Sequence, residues 1–483
     1  MTIEFGNRKS TNPPEASTAL FRRVPLFPVL CVLLLFVTTF WNPIDIGNRP
    51  RPVGISAQVI AKLFVAGGAS FLGFWGLLHS AAVRRALMSS PGWILLALAA
   101  VFCITSTMAM PSAARVSQAA SLMLLGYLLF IPTTLVVCGL RMSLWALMWG
   151  LVINVLCCWA VYGLVPELGV FEEDLGDGFF SYRMGGLGHP NAVGRCAALM
   201  SIVAAALILF DDSTLDNQRI VQNHVDEHGT ITQRRIRRRR LTPARCVLIG
   251  ITVLGVATML NTMSRTAMLA GGASFVMMAA AWLGTRRGIL ISIATLASGV
   301  VGLLAIELTV GSNFLTQKMV SVATKTGSTE ELLTATGRTD IWAETIRLIQ
   351  QRPWTGYGLN SAPDLLWDYS QHAHNVLLHT ILAGGVFAGF VTLALLLLTC
   401  LKLASASPLT RGICTYVLVS GLFEDTLLDT FPGPATLLWV TILLWPSISF
   451  SRYGSTRINE QTEGVLLRHS RYQNQSILDT IAV

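Results

Sequence analysis

Long uncharged apolar stretches alternate with short polar segments along most of the chain. A helix needs about 20 apolar residues to cross the hydrocarbon core of a membrane, and about twelve stretches meet this length. They lie near residues 24–41, 56–79, 91–110, 117–139, 142–165, 190–210, 245–261, 266–283, 289–308, 376–401, 410–426 and 433–449. The pattern predicts an all-α integral membrane protein with about twelve transmembrane helices.

The composition agrees with this class, since 53% of the residues are hydrophobic and only 13% are charged. Such values lie outside the range of soluble globular proteins. The apolar stretches define a polytopic membrane domain over residues 24–449. Residues 1–23 and 450–483 are polar without apolar periodicity, and they are interpreted as terminal tails.

The net charge of +9 reflects arginines that lie between particular stretches. Arg84 and Arg85, the run "TQRRIRRRR" (232–240), and Arg286 with Arg287 fall on one side of the membrane if the spans alternate. The positive-inside rule makes this side cytoplasmic, so both tails are predicted to be cytoplasmic. The run at 232–240 could instead bind anionic lipid or nucleic acid. A topology signal is favoured, and no nucleic-acid partner is predicted.

The opposite side receives a long segment, residues 309–375, between the ninth and tenth predicted spans. A connection of this length without a span is a functional candidate. Within it, "TDIWAETIRLIQQ" (339–351) predicts an amphipathic helix, with Thr339 as its N-cap and Pro353 beyond its end. Its predicted apolar face comprises Ile341, Trp342, Thr345, Ile346 and Ile349. Arg338 would lie at the helix start, where backbone N–H groups also favour an anion.

Two further polar clusters face the same side. "SYRMGGLGHPNAVGR" (181–195) carries Arg183, His189, Asn191 and Arg195, and "NTMSRTA" (261–267) carries Arg265. An arginine on the outer face opposes the usual charge bias, which suggests a phosphate partner. A snorkelling side chain at the interface is the structural alternative.

"QHAHN" (371–375) places His372 and His374 directly before an apolar run. They could pack at the interface, or form a metal site with Asp364 or Asp368, although no third and fourth ligand are evident. His374 is the best candidate for a general base, since an imidazole accepts a proton near neutral pH. His379 lies about 140° further round a helix and is interpreted as structural.

Together these segments resemble the O-antigen ligase and O-antigen polymerase superfamily of bacterial inner-membrane glycosyltransferases. The matching pieces, spread over a core of residues 180–400, are "GHPNAVG" (188–194), "SRTA" (264–267), "GRTDIW" (337–342), "PWTGYG" (353–358) and "HNVLLHTILAGGVFAG" (374–389). The sequence departs from ligases at Ala383-Gly384-Gly385, where an acidic residue often precedes the glycine pair. This departure concerns the choice between ligase and polymerase.

The resemblance implies transfer of a glycan from an undecaprenyl-diphosphate carrier to an acceptor hydroxyl on the periplasmic face of the bacterial inner membrane. It implies His374 as the catalytic base and Arg265 and Arg338, with Arg183 as an addition, as diphosphate-binding residues. The candidate supporting residues are His372, Asn375, His189 and Asn191. Guanidinium groups could replace a divalent cation, so we expect no cofactor, and an inverting single displacement.

The acceptor could be a glycan, a lipid or a protein, which corresponds to a polymerase, a ligase or a protein O-oligosaccharyltransferase. The rival class is a polysaccharide or lipid-glycan transporter without catalysis. Buried carboxylates are scarce in the spans, the nearest being Glu307, Glu424 and Asp425 towards outer ends, which weakens an ion-coupled transporter.

Overall fold

Helices make up nearly all of the described chain. The computed structural model describes residues 26–41, 57–111, 113–174, 180–210, 242–294, 338–367, 370, 372–405, 407–425 and 431–449. The predicted tails at 1–23 and 450–483, and residues 309–337 of the predicted outer loop, lie outside these ranges. The helices are α1 (Leu26–Trp41), α2 (Ala57–His79), α3 (Ala81–Leu87), α4 (Ser90–Ser106), α5 (Ala114–Leu164), α6 (Pro166–Gly169), α7 (Pro190–Phe210), α8 (Pro243–Thr262), α9 (Arg265–Leu283), α10 (285–294), α11 (Arg338–Gln351), α12 (Ala362–Leu365), α13 (Val376–Lys402), α14 (Pro408–Phe423) and α15 (Pro434–Ser449).

The predicted all-α membrane class is confirmed by the length and apolarity of these helices. Six described helices are long and apolar enough to cross a membrane, or seven if the bent pair α3 and α4 forms one span. The shorter apolar helices α1, α14 and α15 coincide with further predicted spans. Of the predicted span at 289–308, residues 289–294 are described, and they are helical. The count of about twelve stays a prediction.

Helix α5 covers two predicted spans, 117–139 and 142–165. Its 51 residues would extend about 77 Å if it were straight, more than twice the roughly 30 Å of a hydrocarbon core. The backbone breaks at Gly139, whose φ of 77° is left-handed and accessible to glycine without steric cost. This break is where the chain would turn back into the membrane.

The bundle buries a contiguous apolar core between its helices and also leaves many large apolar side chains on its outer surface. Phe64, Phe390 and Leu401 are among the exposed ones, at 81%, 65% and 73% exposure. Helices that face lipid rather than water are expected to show this distribution.

A β-hairpin, which the sequence did not predict, precedes α7. Strand β1 (Val170–Asp174) pairs antiparallel with β2 (Phe180–Met184), and Phe171 lies opposite Arg183. Met184 at the end of β2 is buried against Cys158 of α5 and Val193 of α7. This contact fixes the hairpin to the bundle and positions Arg183 beside the start of α7.

The predicted amphipathic helix at 339–351 is confirmed as α11. It begins at Arg338, one residue before the predicted cap, and it buries Ile341, Thr345 and Leu348. Ile346, predicted on the apolar face, is 45% exposed, so the buried stripe is narrower and includes Leu348 instead.

The segment after α11 is attached to a break in α13. Gly385 has a φ of 73°, and a Cβ there would overlap the carbonyl group of Trp354. Backbone N–H groups of Tyr357 and Gly358 donate to the carbonyls of Leu382 and Ala383 at 2.9 and 2.8 Å, and the N–H of Val386 donates to the carbonyl of Pro353 at 2.8 Å. The "PWTGYG" segment thus satisfies backbone groups that the break leaves without helical partners.

Candidate active site

Helix α7 and the α8–α9 turn approach each other closely at Gly194. A Cβ at this position would lie 2.7 Å from Ser264 Cβ and 2.8 Å from Thr262 Oγ1. Only a glycine fits such a separation without a shift. The close contact brings Arg195 of α7 and Arg265, the first residue of α9, to the same end of the bundle.

Arg183 is held by protein groups within this region. Its Nε donates to the Thr262 carbonyl at 2.9 Å, its Nη1 to Glu173 Oε2 at 2.9 Å, and its Nη2 to Asn191 Oδ1 at 2.8 Å. The residue is 3% exposed. These contacts join the β-hairpin, the α8–α9 turn and α7, and they direct the guanidinium group towards protein acceptors.

His189 and Asn191 complete this arrangement at the start of α7. His189 Nδ1 accepts from the backbone N–H of Asn191 at 3.2 Å, and its ring centroid lies 4.9 Å from that of Phe171. Desolvation, together with the positive charges of Arg183 and Arg195, lowers the pKa of His189 to about 4. His189 is therefore neutral near pH 7 and accepts a hydrogen bond.

Glu424, immediately after α14, connects the side chains that the sequence analysis singled out. Its Oε1 lies 3.3 Å from Arg338 Nη2, and its Oε2 lies 3.7 Å from Arg195 Nη1 and 3.4 Å from His374 Nδ1. The Glu424 side chain is only 5% exposed. From the sequence alone, Glu424 is only a carboxylate near the outer end of a span. The sequence signal that points to Glu424 is the acidic pair Glu424-Asp425, which lies at the end of an apolar span on the same predicted side of the membrane as the histidines.

Arg338 and Arg265 place like charges close together. Burial lowers the pKa of Arg338, Glu424 raises it, and the nearby Arg265 lowers it again. A guanidinium remains protonated under these conditions. Arg338 Nη2 also lies 3.4 Å from Thr266 Oγ1, and its guanidinium carbon is 5.6 Å from the Phe423 ring centroid. Arg195 and Arg338 both contact Glu424, and guanidinium groups are suited to binding phosphate oxygens.

His374 has a strained backbone with a φ of 49°. Such conformations in residues other than glycine cluster at functional sites. The next residue, Asn375, caps α13 by accepting from the N–H groups of Leu377 and Leu378, both at 3.0 Å. Asn375 also donates to the Leu422 carbonyl at 3.2 Å. Asn375 therefore fixes the position of His374 relative to the end of α14.

His374 is contacted at both ring nitrogens. The 3.4 Å from Nδ1 to Glu424 Oε2 is an ion-pair distance, longer than a well-formed hydrogen bond. Hydrogen bonds of this kind commonly tighten when a substrate binds. On the other side, Nε2 lies 3.0 Å from the hydroxyl of Ser370. An oriented imidazole beside a hydroxyl has the geometry of a general base.

The second histidine of the pair, His372, contacts Asp425 instead. His372 Nδ1 lies 2.9 Å from Asp425 Oδ2, and His379 Nδ1 lies 3.4 Å from the same oxygen. His379, interpreted from sequence as structural, thus shares a buried carboxylate with His372. Asp425 was not predicted as part of this arrangement.

The metal-site alternative involved His372, His374, Asp364 and Asp368, of which Asp368 lies outside the described residues. Asp364 is exposed on α12. Within the described ranges, no group of three or more His, Cys, Asp or Glu side chains is arranged to hold a metal ion.

The fold and the polar cluster define a multi-span helical membrane protein with a histidine, a buried glutamate and several arginines gathered at one end of the bundle. Residues 250–393 match the family model described as O-antigen ligase. This match confirms the resemblance to the O-antigen ligase and polymerase superfamily, and it includes Arg265, Arg338 and His374. No curated protein matches the chain. The broad activity that the match indicates is of the O-antigen ligase or polymerase type.

Proposed function

We propose that the protein transfers a glycan from an undecaprenyl-diphosphate carrier to an acceptor hydroxyl on the periplasmic face of the bacterial inner membrane, as an O-antigen ligase or polymerase. The observation that carries this proposal is the junction at Glu424. It brings a histidine, Arg195 and Arg338 together from parts of the chain that are distant in sequence. Transfer of this kind needs a base for the acceptor and cations for the departing diphosphate, and the junction supplies both.

In the proposed reaction, His374 Nε2 accepts the proton of the acceptor hydroxyl while the acceptor oxygen attacks the anomeric carbon. The bond from this carbon to the diphosphate oxygen breaks, and the diphosphate leaves with the electron pair. Glu424 accepts a hydrogen bond from Nδ1–H and stabilises the imidazolium that forms. One displacement inverts the configuration at the anomeric carbon.

Arg338 and Arg265 are proposed to bind the diphosphate, whose negative charge increases as the bond breaks. Nη2 of Arg338 contacts Glu424 and Thr266, while its Nε and Nη1 have no protein acceptor within the described part of the chain. These donors are suited to phosphate oxygens. Arg183 differs, because its guanidinium contacts protein acceptors; we propose that it positions the start of α7.

The test is glycan transfer by the purified protein in detergent, with an undecaprenyl-diphosphate oligosaccharide, a hydroxyl acceptor and excess chelator. We expect transfer by the wild type to persist in chelator. In His374→Ala, we expect it to fall by about 10²- to 10⁴-fold, the usual contribution of a general base. His79→Ala is a matched control, since His79 stacks on Trp75 at the end of α2, away from the site.

Two results would contradict the proposal in different ways. Equal rates for the wild type and His374→Ala would remove His374 as the base. Movement of the labelled lipid-linked glycan across proteoliposome membranes, with no new glycosidic bond, would favour the transporter class.

A further inference from the structure

Ser370 contacts His374 at the nitrogen that would receive the acceptor proton. Its hydroxyl lies 3.0 Å from Nε2 and also accepts a hydrogen bond from the backbone N–H of His372 at 3.3 Å. Because Nδ1 faces the Glu424 carboxylate, the neutral ring carries its proton on Nδ1 and accepts at Nε2. The Ser370 O–H is then the donor to Nε2.

This donor occupies the position that an acceptor hydroxyl needs. The N–H of Ser370 donates to the Leu366 carbonyl at 2.7 Å, which anchors the backbone of Ser370. Its side chain is only partly buried, so a change of χ1 would move the hydroxyl away from Nε2 without displacing the main chain. An incoming acceptor could therefore replace Ser370 at the base.

A covalent role for Ser370 is disfavoured by the chemistry of its product. Attack by the Ser370 oxygen on the anomeric carbon would form a serine O-glycoside and release the diphosphate. Such an acetal has an alkoxide leaving group, as the product linkage does, so it lacks the activation that the diphosphate provided. A covalent intermediate of this kind would not ease the second step.

A base beside an activated donor also creates a risk of hydrolysis. Water could lose a proton to Nε2 and attack the anomeric carbon, releasing free glycan and the carrier diphosphate. We propose, on the basis of the function proposed above, that Ser370 covers Nε2 until the acceptor hydroxyl displaces it. Ser370 is thus a positioning residue that favours transfer to the acceptor over transfer to water.

The experiment compares donor hydrolysis without acceptor and glycan transfer with acceptor, for the wild type, Ser370→Ala and Ser370→Thr. Loss of one neutral hydrogen bond predicts that Ser370→Ala raises the ratio of hydrolysis to transfer by about fivefold. Ser370→Thr keeps a hydroxyl and should restore a ratio near that of the wild type. Ser361→Ala is the matched control on the same loop, since the buried Ser361 hydroxyl has no partner within the described residues.

An unchanged ratio in Ser370→Ala, or a glycan found covalently attached to Ser370 by mass spectrometry, would overturn this proposal. Complete loss of transfer in a folded Ser370→Ala protein would also overturn it, because Ser370 would then be required for the reaction. If the wild type transfers glycan but Ser370→Ala has the same ratio of hydrolysis to transfer, only the proposed role of Ser370 is removed and the proposed function stands. Absence of transfer by the wild type removes both proposals.

Discussion

Glu424 lies within 3.7 Å of Arg195, Arg338 and His374, so its charge bears on both proposed halves of the reaction. Glu424→Gln keeps the shape of the side chain and removes the charge that stabilises a protonated His374. We expect the maximal transfer rate to fall on the order of 10²-fold. The measurement is the initial rate at saturating donor and acceptor.

Glu344→Gln is a suitable control for this variant, because Glu344 pairs with Arg347 on the surface of α11 at 2.6 Å. Thermal unfolding in detergent checks that each protein is folded. Equal maximal rates for Glu424→Gln and the wild type would exclude Glu424 from the proposed mechanism.

Arg183 and Arg338 differ in their contacts, so the same substitution should affect different quantities. Lysine presents a single ammonium group and cannot reproduce the geometry of a guanidinium. Arg338→Lys should raise the KM for the donor about tenfold, or about 1.4 kcal/mol. Arg183→Lys should instead lower the unfolding free energy by about 2 kcal/mol, since the contacts to Glu173, Asn191 and Thr262 cannot all persist. Donor kinetics and thermal unfolding of both variants test this contrast. A rise in the KM for the donor in Arg183→Lys, with no such rise in Arg338→Lys, would contradict it.

At the scale of single residues, the sequence predicts that Arg265, Arg338 and His374 lie on one face of the membrane, because alternation of the spans determines the face. The sequence does not distinguish Arg183 from the other arginines. Glu173, the partner of Arg183, lies on β1, which pairs with the strand β2 that carries Arg183, and nothing in "VFEED" or "FSYRM" predicts this pairing. The sequence does not assign Glu424 to the site, because its contacts join the end of α14 to α7, α11 and His374, two residues before α13.

Among the elements, the break in α13 depends on Gly385. With a φ of 73° and the Trp354 carbonyl in the place of a Cβ, Gly385→Ala is strained in its backbone and also sterically blocked. We expect a loss of unfolding free energy on the order of 2 kcal/mol or more. The "PWTGYG" segment should detach and become more accessible to protease. Gly272→Ala on α9 is the control, since no atom lies within 4 Å of the added Cβ.

If both alanine variants unfold at the same temperature, the break does not constrain the "PWTGYG" segment.

The elements also differ in how well sequence predicts them. Long apolar stretches predicted the spanning helices because length and lack of charge are sufficient signals. The turn at Gly385 lies inside an uninterrupted apolar run, where hydropathy alone does not reveal a left-handed residue.

For the whole molecule, the two halves of α5 provide a test of the predicted orientation in the membrane. If Gly139 marks a turn between two spans, Arg141 lies on the same side as Arg286, and Glu172 of the hairpin lies on the opposite side with the candidate site. The positive-inside rule makes the arginine side cytoplasmic. We therefore expect an impermeant maleimide to label Glu172→Cys in intact spheroplasts, and to label Arg141→Cys or Arg286→Cys only after permeabilisation.

These variants are made in a chain whose nine native cysteines are replaced, after confirming that this parent still transfers glycan. All three positions are exposed, so differences in labelling report the side of the membrane rather than burial. Labelling of Arg141→Cys from outside, with Glu172→Cys labelled only after permeabilisation, would mean that the bundle has the opposite orientation and that His374 faces the cytoplasm. A periplasmic glycan transfer would be impossible in that arrangement, so the position of Arg141 tests the proposed function independently of any catalytic variant.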